Sequence, residues 1–254
     1  MAVLHFKSSG KGEPLIILHG LFGMLDNWQT IANRLDNRYL VYLVDLRNHG
    51  RSPHMESMTY PEMAEDIVQL MDAEGIPAAN ILGHSMGGKV AMQLAFDHPL
   101  RVQKLIVADI GPKGYPPGHD QIFEALDAVV LPAVTQRRDA EEMMQQVLHD
   151  PGIILFLMKN LQRHTDGSYG WRMNLEVIRE QYSSIRGPVS GESFHDPALF
   201  IRGSRSDYIP DNDWPAIQEL FPLAALVTIP DAGHWVHADQ PDMLQEEVVR
   251  FLLS

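Results

Sequence analysis

The chain has 254 residues, no cysteine, and a formal net charge of −13 from 33 acidic and 20 basic side chains. Its length fits one large domain or a domain with an insertion, long enough to bury a sizeable core. The acidic balance disfavours nucleic acid and anionic membranes as partners, and the absence of cysteine excludes disulfides, thiolate metal sites and thiol catalysis.

The first residues, "MAVLHFKSSGKGEP", hold no long apolar stretch after a basic segment, so no signal peptide is expected. No apolar run is long enough to span a bilayer, and a cytoplasmic enzyme is the expectation. "LIILHG" (15–20) and "LVYLVDL" (40–46) are continuous apolar runs, as in strands buried on both faces. "WQTIANRL" between them reads as helix. "YPEMAEDIVQLMDAEGI" follows, with Met63, Ile67, Leu70 and Met71 at helical spacing. Then come a strand, "ANILG", a helix, "KVAMQLAFDHP", and another strand, "KLIVADIG" (104–111).

After Gly111 the alternation stops, and residues 112–196 offer only helical patterns such as "IFEALDAVV", "AEEMMQQVLHD" and "IILFLMKNL", separated by turn-rich pieces. It returns with "ALFIRG", "WPAIQELF", "ALVTIPD" and "DMLQEEVVRFLL". Such alternation argues for a mostly parallel sheet flanked by helices. The expected layout is a core of 1–111 and 197–254, with a helical cap, 112–196, inserted after the sixth strand.

The stretch "NILGHSMGGKVAMQLAF" (80–96) places Ser85 between glycines where strand turns into helix. A tight elbow of this kind holds a nucleophile out of the sheet, while its glycines keep neighbours from clashing. A serine hydroxyl needs a base, usually a histidine oriented by a carboxylate. Of the 12 histidines, His234 in "IPDAGHWVHADQPD" follows a strand on a glycine-containing loop, where strand ends gather near a shared crevice. His237 reads as a packing residue, and His84 as a structural part of the elbow. The order Ser85 before His234 matches the α/β-hydrolase arrangement. Backbone N–H groups of Leu21, in "HGLFG" (19–23), and of Met86, directly after the serine, are placed to form an oxyanion hole.

"HGLFG", "DLRNHGRSP", "GHSMGGK", "ADIGP" and "GHWVH" occur in the order seen in α/β-hydrolase esterases. Along nearly its whole length the chain resembles the small bacterial esterases of the YbfF type. "DLRNHGRSP", with Asn48 where most relatives carry glycine, and "ADIGP" are the more specific of these motifs. The resemblance implies an α/β-hydrolase fold and a Ser-His-Asp hydrolase with a helical cap, acting on carboxylic or acyl-CoA esters without a cofactor.

Two aspartates compete for the third position. Asp207, in "FIRGSRSDYIP", lies near the loop where most α/β-hydrolases keep their acid, but one residue late, so that Ser206 takes the usual place. Asp109 ends an apolar strand, where a carboxylate needs a partner. YbfF-type esterases carry their acid in the "D-I-x-P" context that Asp109 matches, and Asp109 is favoured. Ser206 then becomes an auxiliary hydroxyl beside the Asp109–His234 pair, or an ordinary loop residue. Asp45 and Asp231 read as loop braces.

His19, His49, His84, His234 and His237 all fall near predicted strand ends but lack metal-ligand spacing. The elbow also lacks the Gly-Lys-Ser/Thr ending of a phosphate loop. A ligand-binding protein with little turnover and a C–C bond hydrolase stay open as alternatives. In the insertion, Phe156, Leu157, Met158 and Trp171 suit an apolar acyl chain, and Lys113, Arg163 and Arg172 a phosphate or carboxylate. Helical core and solvated surface are the competing readings of the two groups. The expected partner is a small-molecule ester or thioester, and the sequence leaves the oligomeric state open.

Overall fold

The computed structural model describes residues 3–254. Its strands run β1 (Phe6–Gly10), β2 (Glu13–Leu18), β3 (Tyr39–Val44), β4 (Ala79–His84) and β5 (Val102–Ala108). A separate antiparallel pair follows, β6 (Leu161–Arg163) and β7 (Tyr169–Trp171), then β8 (Ala198–Gly203) and β9 (Ala224–Ile229). Seven of them form one sheet in the order β1-β3-β2-β4-β5-β8-β9, parallel except for the edge pairing of β1 with β3.

Successive side chains on a strand point to opposite faces, and the apolar runs feed two cores accordingly. Ile16, Leu18, Val44, Ile81 and Val107 pack on one side, and Leu15, Ile17, Leu43, Leu82 and Ile106 on the other. Helix α1 (Gln29–Leu35) covers the second face, α2 (Tyr60–Ala73) and α3 (Met86–Asp97) the first. The start of α2 is fixed by a reciprocal cap: Glu62 N–H donates to Thr59 Oγ1, and Thr59 N–H to the Glu62 carboxylate at 2.9 Å.

Residues 112–196 hold α4 (Asp120–Ala128), α5 (Arg137–Gln145), α6 (Pro151–Met158), α7 (Leu175–Glu180) and α8 (Tyr182–Ile185). Helices α9 (Trp214–Leu220), α10 (Val236–Asp239) and α11 (Pro241–Leu253) complete the chain, and α11 joins α1 on the second face. The insertion leaves the sheet after the fifth strand, not the sixth. Only one strand precedes the four legible apolar runs: β1, a half-exposed edge strand without a continuous apolar pattern. The insertion is also not purely helical. Strands β6 and β7 are three residues each, too short for a periodic signal, and close around Gly167 at φ 89°.

Parallel strands aim their carboxyl ends at one edge, where a crevice opens as strand order reverses. Register aligns His84 with Ala108, and Ala108 with Ile201, so the residues that follow β4 and β5 emerge side by side. They are Ser85 and Asp109.

Candidate active site

Ser85 sits between β4 and α3 with φ 52° and ψ −120°, a conformation that costs a non-glycine residue on the order of 1–3 kcal/mol and persists only where the surroundings enforce it. Close packing enforces it here. A Cβ at Gly83 would lie 2.1 Å from the Gly87 carbonyl oxygen, and one at Gly87 would lie 2.5 Å from that of Leu18. Only glycine lets α3 start so near the sheet. Ser85 N–H donates to the Ala108 carbonyl at 3.0 Å, which ties the turn to the neighbouring strand.

His234 lies on the loop between β9 and α10. Its Nε2 is 3.0 Å from Ser85 Oγ and its Nδ1 is 2.7 Å from Asp109 Oδ2. A carboxylate only accepts, so Nδ1 carries the proton and the Nε2 lone pair faces the serine hydroxyl. Asp109 is fully buried, with φ 54°. Its Oδ1 accepts the Gly203 N–H at 3.0 Å, and its Oδ2 also accepts the Ser206 hydroxyl. Ser206 Oγ accepts the Tyr208 N–H at 3.3 Å. The one-residue delay in this loop therefore turns the Ser206 hydroxyl inward, while Asp207 is exposed. Asp45 braces loops by accepting the Leu25 and Arg51 N–H groups, and Asp231 turns the chain at φ 56°.

Sequence reasoning missed Tyr208. Its ring stacks on the His234 imidazole, centroids 3.8 Å apart and planes 16° apart. Its carbonyl accepts the Tyr115 hydroxyl at 2.8 Å, and that hydroxyl oxygen accepts the Gly111 N–H at 2.7 Å. An aromatic residue on an irregular loop carries no periodic signal; only its position two residues after Ser206 marks it.

Buried histidines shape the 19–23 loop. His19 Nε2 accepts the Leu46 N–H at 3.0 Å, so its Nδ1 is the donor to the Gly20 carbonyl at 2.8 Å. His49 Nε2 accepts the Phe22 N–H at 3.2 Å, so its Nδ1 donates to the Arg47 carbonyl. Burial brings His19 down to about 4 and His49 to about 3, the latter helped by its neighbour His19. Both are neutral near pH 7, and their nitrogens are spent on backbone groups. With Gly23 N–H bonded to the Gly20 carbonyl and Phe22 N–H to His49, the Leu21 N–H is left without an acceptor among the described residues, as is that of Met86. His84 donates Nε2–H to the His234 carbonyl at 2.8 Å, and His237 stacks on Trp28 with centroids 4.4 Å apart.

Two cavities meet at Ser85. One runs past Trp28, His119, Phe156 and Trp235. The other runs past Tyr60, Lys89, Tyr115, Tyr182 and Tyr208. Of the insertion residues singled out from sequence, Phe156 faces a cavity, whereas Leu157 and Met158 sink into the apolar core. Trp171 packs at the core's edge, and Lys113 pairs with Asp213 at 2.5 Å. Arg163 donates to the Gly167 carbonyl, and Arg172 lines neither cavity.

A family described as "alpha/beta hydrolase fold" matches residues 13–131. The chain is 40% identical to esterase YbfF of Escherichia coli, covering 94% of this chain and 93% of that protein. It is 39% identical to the sn-1-specific diacylglycerol lipase ABHD11 of Danio rerio, over 97% of this chain and 80% of that protein. A solved structure described as a marine microorganism esterase superposes with a TM-score of 0.97 at 43% identity, covering 99% of this chain and all of that one. Among the described residues, no helix is long and apolar enough to cross a membrane. By sequence and by fold, the chain belongs to the α/β-hydrolase family.

Proposed function

We propose that the protein is a serine esterase that cleaves carboxylic ester or thioester bonds through an acyl-enzyme. The observation that carries this reading is the hydrogen-bonded line from Ser85 Oγ through His234 to Asp109, at 3.0 and 2.7 Å. Ser85 is the nucleophile. As its Oγ attacks the acyl carbon, His234 Nε2 takes the proton, and Asp109 holds the imidazole in the tautomer that can do so. The resulting oxyanion is met by the Leu21 and Met86 N–H groups, whose lack of other acceptors supports the assignment. The Nε2 proton then passes to the departing alcohol or thiol. A water, deprotonated by the same nitrogen, releases the acid and restores Ser85. Ser206 stabilises the Asp109 carboxylate by donating to Oδ2, the same oxygen that accepts the His234 Nδ1–H.

Residues 112–196 act as a cap over a core made of 1–111 and 197–254, since both cavities combine walls from the two parts. Relatives named as an esterase and as a diacylglycerol lipase favour carboxylic esters with an apolar acyl part. Thioesters such as acyl-CoA use the same steps with a better leaving group.

A fluorophosphonate should label the wild-type protein at Ser85 with a stoichiometry near one, and Ser85→Ala should neither label nor turn over p-nitrophenyl esters. Full labelling of Ser85→Ala overturns the reading. A matched series of p-nitrophenyl and acyl-CoA esters of rising chain length ranks ester against thioester. Binding of these esters with neither a burst of alcohol or thiol nor turnover would favour a binding protein.

A further inference from the structure

Lys89 lies one helical turn after Ser85 on α3 and is 1% exposed. No carboxylate pairs with it among the described residues. Its Nζ instead donates to two carbonyls, those of Lys113 at 2.7 Å and of Gly187. These carbonyls belong to the two necks of the insertion, where the chain leaves the sheet and where it comes back. The necks are themselves bonded together, Val189 N–H to the Pro112 carbonyl and Tyr115 N–H to the Arg186 carbonyl, both at 2.8 Å. Around the ammonium stand the rings of Tyr60 and Tyr115, with centroids 5.7 and 4.9 Å away.

A buried ammonium without a counter-ion is costly, and a methionine would fill the same space without that cost. What lysine adds is directed donors reaching two separate backbone segments. The outgoing neck leads on to the reacting groups: Tyr115 OH donates to the Tyr208 carbonyl, and the Tyr208 ring lies flat on His234. We propose that Lys89 is a positioning residue, which ties both necks of the insertion to the helix that Ser85 opens and so fixes the cavity wall of Tyr115, Tyr182 and Tyr208. The proposal rests on the esterase reading of Ser85 and His234 and deepens it.

Burial lowers the Lys89 ammonium to about 8, so the latch loses its charge as pH passes from 7 to 9. Burial pushes the hydroxyls of Tyr60, Tyr115 and Tyr208 upward and the His119 imidazole downward, away from that window. Lys113, with its partner Asp213, and Tyr182 and Arg186 complete the charged and titratable surroundings.

The test compares wild type with Lys89→Met and Lys89→Arg, on a p-nitrophenyl ester long enough to fill the tyrosine-walled cavity. In Lys89→Met, KM should rise about tenfold with a smaller change in kcat, the scale of losing one or two hydrogen bonds. Amide exchange at Tyr115 and Val189 should quicken by a similar factor. In the wild type, KM should climb between pH 7 and 9. Lys89→Arg, which keeps its charge throughout, should flatten that climb and restore most of the affinity. KM and neck exchange both within twofold of wild type in Lys89→Met would overturn the proposal. Should that variant fold too poorly to assay, the arginine variant decides: a KM rise as steep as the wild type's overturns it. Fluorophosphonate labelling, run in parallel, reports on the nucleophile alone, so neck exchange judges the latch even if another residue is labelled.

Discussion

His234 Nδ1 lies 2.7 Å from Oδ2 of Asp109, a fully buried carboxylate that directly follows β5, the strand beside the one leading into Ser85. The serine and the carboxylate thus emerge from adjacent strands in register, and one imidazole from the β9 loop bridges them. Gly203 N–H holds the other carboxylate oxygen, Oδ1, and the Ser206 hydroxyl shares Oδ2 with the imidazole.

Replacing Asp109 with asparagine removes the acceptor that keeps the proton on Nδ1. The imidazole then settles in the wrong tautomer, and kcat should fall on the order of 10⁴-fold. Asp207→Asn changes an exposed loop residue and should alter kcat by no more than about twofold. Steady-state kinetics of the two variants on one ester distinguish the assignments. A large loss in Asp207→Asn with near-normal Asp109→Asn would return the acid to the β8 loop.

Ser206→Ala should lower kcat about tenfold, the effect of removing one hydrogen bond to a charged group. Fluorophosphonate labelling should slow by a similar factor, because both reactions need the same oriented imidazole. A variant within twofold of wild type in both assays would make Ser206 an ordinary loop hydroxyl.

That Ser85, Asp109 and His234 meet is legible because each stands where elementary constraints leave few options. Glycines on both sides of a serine at a strand–helix turn fit a close backbone approach, as Gly83 and Gly87 make here, and a carboxylate at the end of an apolar strand needs a partner. Residues whose role depends on tertiary direction stay hidden. Lys89 follows "GHSMGG" on a helix, where a lysine normally reads as solvated, yet its ammonium is drawn inward by two carbonyls distant in sequence. Tyr208 and Trp28 carry no pattern that announces a stacked imidazole. In "IILFLM" every residue is apolar, so periodicity cannot tell that Phe156 faces a cavity while Leu157 and Met158 face the core. Strand β1 escaped notice for the opposite reason, because an edge strand in contact with solvent needs little apolar sequence.

Gly87→Ala should disable the site without touching a reacting group. The added Cβ would meet the Leu18 and His19 carbonyl oxygens at 2.5 and 2.6 Å, and backbone there has nowhere to move. Relief requires α3 to back away from the loop that carries Leu21, which pulls apart the Leu21 and Met86 amides proposed to hold the oxyanion. Losing one such donor costs roughly 10²–10³ in kcat, with strain of about 1–3 kcal/mol in stability. Turnover within tenfold of wild type would show that the helix start tolerates the shift.

Acid should destabilise the fold well above the carboxylate range. His19, His49 and His84 are buried and neutral, with folded-state values below the ordinary 6.5: about 4, about 3, and well below it. Between those values and 6.5 the unfolded chain binds more protons than the folded one, so stability is complete above 6.5 and drains as pH falls. Each such histidine contributes a slope of up to about 1.4 kcal/mol per pH unit in that window. Burial also raises Asp45, which favours the fold as it protonates and so opposes part of this loss. Urea midpoints should therefore hold from pH 7.5 to about 6.5 and fall steadily from there to pH 5. A flat midpoint across that range would mean that these imidazoles are not held neutral.

Tyr208 should matter through its ring and not its hydroxyl. The ring lies 3.8 Å from the His234 imidazole at 16°, so it limits the tilt of the base toward Ser85. Stacked aromatic pairs are worth about 0.5–1.5 kcal/mol beyond their burial. Tyr208→Leu should thus lower kcat roughly three- to tenfold, while Tyr208→Phe, which keeps the ring, should stay within about twofold of wild type. The backbone carbonyl that accepts the Tyr115 hydroxyl is present in all three proteins, so the comparison isolates the ring. Equal losses in the two variants would place the effect in the hydroxyl. No loss in either would mean that the Asp109 and Ser85 contacts alone hold His234 in line.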